Sequence, residues 1–188
     1  MTNTTRHVGG WGGLGNDRYR RYVAAFDWTV HCVDKGYYLE AIAILDSLIC
    51  DRLGSRLGYL KGKSIDSCWT SGKLCRELIG TDSTSTGSEN DAAFRNVIRN
   101  IQNWVKRRND SMHATAKVFR GASSNTFKAI LQSHMQDAVD GIKCLQDFDD
   151  LDKASRAKAE KHPASYPDAF FPKRRRMRYR PSLINPNS

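Results

Sequence analysis

An arginine and a histidine, Arg108 and His113, stand five positions apart in the stretch NWVKRRNDSMHATAKV. Together these residue types suit phosphodiester chemistry. A guanidinium binds phosphate through two parallel hydrogen bonds and stabilises charge developing on it. An imidazole takes the proton from a ribose 2′-hydroxyl or delivers one to a leaving 5′-oxygen. RNA supplies its own nucleophile, so such a reaction needs no metal and no cofactor. One imidazole does not easily act as base and acid at once. Two copies of the pair, brought together by a dimer axis, can.

The spacing poses a geometric problem. Five positions on a regular helix subtend about 500°, which leaves Arg108 and His113 about 140° apart. The residues between them offer a way round. Asn109 tolerates the left-handed conformation that ends a helix, and Asp110 and Ser111 are good N-caps for a new one. The sequence therefore predicts a break at 109–111, with Arg108 in the last turn of one helix and His113 in the first turn of the next. Both would then face one cleft, and the positive end of the new helix would favour neutral imidazole. The bland alternative is a basic helix end with an unremarked histidine, because arginine and histidine at this spacing are not a rare string.

The elements that must position the pair are helical. Tyr19, Tyr22, Val23, Phe26, Val30 and Val33 recur at three or four, so a first helix is predicted from Asp17 to the Gly36 stop. A second spans about 37–59 on the stripe Tyr38, Ile42, Leu45, Ile49, Leu53 and Leu57, weakened late by Gly54 and Gly58. Residues 61–90 read as a long surface loop with one short helical candidate, 73–79. A third main helix starts near Asp91 with Phe94, Ile98, Ile101, Trp104 and Val105. A fourth covers about 124–151. The fold class is all-α, a bundle of four main helices. The domain limits are a flexible Gly-rich N-terminus at 1–16, a helical domain at 17–155 and a basic, Pro-containing tail at 156–188.

Composition narrows the function. The formal net charge of +10 favours an anionic partner. Much of it sits in the tail, where Lys173, Arg174, Arg175, Arg176, Arg178 and Arg180 interleave with aromatics, a pattern that suits RNA backbone contact with stacking. No apolar run is long enough for a membrane span and no secretory leader is expected, so the reading is cytoplasmic, without a membrane partner. The five scattered cysteines read as free thiols, and no spacing suits a zinc site. Gly10–Gly15 fits G-x-G-x-x-G, but no strand precedes it, so dinucleotide binding is rejected.

WVKRRNDSMHATAK resembles the signature of the HEPN superfamily, whose ribonucleases carry R-x₄₋₆-H with a polar residue straight after the arginine; here these are Arg108, Asn109 and His113. YYLEAIAILDSLICDRLGSRL resembles the second helix of HEPN proteins from phage-defence and toxin systems, with an acidic residue early, as Glu40 is here. The resemblance covers roughly residues 17–151. It implies an up-and-down bundle of four to five helices, a homodimer with facing motifs, and metal-independent endoribonuclease activity leaving 2′,3′-cyclic phosphate and 5′-hydroxyl ends. An antitoxin or another defence-system protein is the implied partner besides RNA. The tyrosine that often stands two positions after the histidine is Thr115 here, which argues against control through its modification. The alternative is a non-catalytic RNA-binding or protein-interaction module using the basic tail.

In the resulting site Arg108 stabilises the phosphate, His113 transfers protons, and Glu40 and Asn109 support them, with Asp46 a weaker candidate for the role of Glu40. Arg107, Lys106 and Lys117 are candidate RNA contacts that are equally explicable as solvated cations. His134, on an apolar stripe, reads as a core histidine.

Overall fold

The structure, a computed structural model, describes residues 13–63, 65, 68–81, 86–114 and 127–159. It contains five helices, α1 Gly13–Lys35, α2 Tyr38–Lys61, α3 Ser71–Ile79, α4 Ala92–Ala114 and α5 Phe127–Ala159, and no strand among the described residues. The fold is an all-α bundle. Lys117, Thr115 and the cationic tail residues lie outside the described residues, as do residues 1–12.

α2 is the central element and packs on α1, α3, α4 and α5. Its apolar spacing explains this: Ile42, Leu45, Ile49, Leu53 and Leu57 are all buried. Gly54 and Gly58, both buried, do not end it. The helix stops at Gly62, which adopts the left-handed conformation at φ 60°. α4 starts on Asp91, whose carboxylate accepts from the Ala93 and Phe94 amides at 2.8 and 3.2 Å.

Several boundaries differ from the sequence reading. α1 begins at Gly13, inside the segment expected to be flexible. α5 continues to Ala159, past the expected start of the tail. The described residues of the 61–90 segment are more structured than a variable loop. Thr70 caps α3 by accepting from the Lys73 amide at 3.3 Å, and Leu74, Cys75 and Leu78 are fully buried. Downstream, Glu89 receives Arg56 Nε at 2.7 Å in a buried ion pair, and Arg95 donates to the Glu89 and Ile79 carbonyls. These contacts fix the return path into α4.

The seam between α4 and α5 is close because Gly141 carries no side chain. A Cβ there would lie 2.8 Å from the Trp104 indole, which is itself fully buried. Trp104 Nε1 donates to the Asp137 carbonyl at 2.7 Å and so fixes the rotation of α4. That rotation decides which way the candidate site residues point.

Candidate phosphate-binding pocket on helix α4

α4 runs unbroken through Asn109, Asp110 and Ser111 to Ala114. The predicted break is therefore overturned. The reason is tertiary: Ser111 is buried, and its hydroxyl donates to Asp137 Oδ2 on α5 at 2.5 Å instead of capping a new helix. Trp104, Arg107 and Arg108 are likewise held by neighbouring helices, so their partners enforce the helical conformation across the expected stop. Arg108 and His113 accordingly project about 140° apart. His113 is exposed.

Arg108 points inward, toward α2 and α3. Its Nη2 donates to Asp46 Oδ1 at 2.5 Å and to Ser71 Oγ at 2.9 Å, and Ser71 Oγ donates to the same Asp46 oxygen at 2.7 Å. The triangle joins α2, α3 and α4. Arg108 keeps 19% of its side-chain exposure and Asp46 keeps 28%, so the group is open to solvent. The Arg108 Nε is buried and has no hydrogen-bond partner among the described residues. A pocket of about 490 Å³ opens here, with Asp46, Trp69, Thr70, Ser71, Arg108 and Asn109 on its walls. The first turn of α3, whose leading amides have no intrahelical acceptor, adds positive potential to the same space.

The other expected residues separate into two groups. Asn109 lies on the pocket wall and is exposed. It sits about 100° from Arg108 and about 40° from His113, between the two. Lys106 is exposed and shares with Asn109 and His113 the i, i+3, i+7 spacing of one helix face. Glu40 and Arg107 are engaged elsewhere. Glu40 accepts from Trp28 Nε1 on α1 at 2.8 Å, and Asp46 takes the place beside Arg108 that was expected for it. Arg107 is a structural cation: its Nε donates to Asp137 Oδ1 at 3.0 Å and its Nη2 to Asp140 Oδ2 at 2.6 Å.

Ser71 and Trp69 were not singled out from the sequence. The signal for Ser71 was the Thr70–Ser71 pair ahead of a helical run, a cap signature that places a hydroxyl at a helix start. Among the thiols, burial pushes Cys75 up to about 12 and Cys144 up to about 11, and raises Cys32, so these three stay protonated and are poor nucleophiles. No helix among the described residues is long and apolar enough to cross a membrane. Comparison of the chain with protein-family models, with curated proteins and with solved structures returns no match.

Proposed function

We propose that this chain is a metal-independent endoribonuclease of the HEPN type, and that its cleft draws arginine from one copy and histidine from a second. The observation that supports this reading is the distribution of the motif over one unbroken helix. Arg108 lines a solvent-open pocket, His113 is exposed round the helix, and Asn109 lies between them. Within one chain the guanidinium and the imidazole diverge. A second copy lying along the exposed face of α4 brings its own imidazole to the first copy's pocket, and Lys106 on that face adds a phosphate contact.

In that cleft Arg108 holds the scissile phosphodiester and neutralises charge on its non-bridging oxygens. The 2′-oxygen attacks phosphorus while His113 of the partner subunit takes its proton. The bond to the 5′-oxygen breaks as a solvent water supplies a proton to it. A 2′,3′-cyclic phosphate and a 5′-hydroxyl result. Asp46 replaces Glu40 as the carboxylate that orients Arg108, and Ser71 fixes the same guanidinium edge.

One feature favours a second reading, RNA binding without cleavage: Asp46 already pairs with Arg108 and offsets part of its charge. Incubation of RNA with the protein in EDTA separates the two. Cleavage is expected, and Arg108→Ala should lower it by about 10²–10³-fold with an unchanged circular dichroism spectrum. His113→Ala should abolish it. Mixing the two inactive variants should restore about a quarter of wild-type activity, because half the dimers are mixed and each has one intact site. Cutting by His113→Ala at the wild-type rate would sink the chemistry. No recovery on mixing would sink the shared cleft. RNA retained by every variant but never cut would support the binding reading.

A further inference from the structure

The pocket beside Arg108 carries more than phosphate binding uses, because one wall is an indole. Trp69 is half-buried; its carbonyl accepts from the Cys50 thiol at 3.1 Å. The Lys73 ammonium lies 3.8 Å from the centre of the indole. Lys73 belongs to the first turn of α3, directly behind the Thr70 cap, so the helix start and the indole are held as one unit. On the pocket wall Arg108 meets one carboxylate, Asp46, and the Lys73 ammonium stands off the wall, over the Trp69 ring. The leading amides of α3 add positive potential that suits a phosphate. The volume of about 490 Å³ falls within the range of roughly 300–1,000 Å³ typical of small-ligand sites.

We propose that this pocket is a nucleotide subsite that takes one unpaired ribonucleotide, its base against Trp69 and its phosphate on Arg108, beside the start of α3. A single base splayed from its neighbours fits such a space, whereas a paired one is held in its helix. Unstacked bases on aromatic side chains are the usual means of reading single-stranded RNA. Asp46, which the guanidinium engages through Oδ1, presents a carboxylate that can accept from a ribose hydroxyl or a base amino group. The subsite deepens the ribonuclease reading and rests on it for the identity of the natural ligand. It directs cleavage to single-stranded segments.

The test uses adenosine 5′-monophosphate with the full chain, followed by NMR and calorimetry. Wild type should bind it, and adenosine without phosphate should bind more weakly. Trp69→Ala should weaken binding by about tenfold, while Trp69→Phe keeps most of it. Intermolecular NOEs from the adenine protons to the Trp69 indole are expected in the wild-type protein and do not depend on the variants folding. Absence of binding to wild type, equal binding of adenosine and its monophosphate, or adenine NOEs to another site would each overturn the subsite. These outcomes are separable from the failure of the ribonuclease reading. RNA cut in EDTA with no nucleotide in the pocket removes the subsite alone, and nucleotide bound at Trp69 without RNA cleavage removes the nuclease alone.

Discussion

Arg107 and Arg108 are neighbours in sequence with opposite fates. Arg107 is the more exposed, with 49% of its side chain accessible against 19% for Arg108. Exposure alone would rank it as the better anion ligand. The partners reverse that ranking. Arg107 meets two carboxylates, Asp137 and Asp140, and has no charge to spare. Arg108 meets one carboxylate and a hydroxyl, keeps a buried Nε with no partner among the described residues, and opens onto a pocket. Successive residues on a helix differ by about 100°, so one arginine faces α5 and the other faces α2 and α3. An arginine's availability to phosphate follows from the charge balance of what it touches, more than from its accessible area.

The seam with α5 is therefore expected to carry stability, and the pocket to carry function. The largest loss should come from Trp104→Ala, about 3–5 kcal/mol in urea unfolding, since it empties a fully buried site and frees the Asp137 carbonyl. Next, Asp137→Ala should cost about 1–3 kcal/mol, chiefly because the buried Ser111 hydroxyl loses its acceptor. The half-exposed Arg107 pair contributes little to that figure. Asp46→Ala should cost less, about 1 kcal/mol, because its pair with Arg108 is open to water and water in the same pocket can take over as acceptor for the Ser71 hydroxyl. Equal losses for Asp46→Ala and Asp137→Ala would break the division between the two faces of α4.

The helices were legible in the sequence because their apolar residues recur at helical spacing, and the buried positions of α2 and α4 follow that stripe. The break at 109–111 was a misreading with a clear cause. Asn109, Asp110 and Ser111 have the local chemistry of a helix boundary, but Asp137 lies 26 residues from Ser111 and captures its hydroxyl. Local preference cannot report a partner on another helix. The same holds for Glu40 and Asp46. Both acids were visible on α2, yet only the packing of α3 and α4 shows which one meets Arg108. Ser71 and Trp69 were hidden more deeply, because the 61–90 segment follows no periodic pattern that places it against α4.

The smallest expected effect concerns the seam again and depends on pH. His134 on α5 is buried, and its pKa lies below its ordinary value of 6.5. Burial is the main cause; the Asp137 carboxylate and a hydrogen bond to the Ser111 backbone push the other way without cancelling it. Arg107 and Asp140 complete the charged surroundings of that seam. The folded chain thus holds His134 neutral, while the unfolded chain protonates more readily. The stability this provides is complete above about 6.5 and falls as the pH drops toward the folded value. Glu77 is also shifted, but downward from 4.5, so its contribution is lost only at more acid pH. A fall in melting temperature on acidification below about 6.5 is therefore expected, and His134→Gln should flatten it. Amide exchange should rise along α4 and α5 in the same interval and not at the junction of α2 with α3. An undiminished slope in His134→Gln, or exchange rising first at the Arg108 pocket, would place the acid-sensitive contact on the other side of α4.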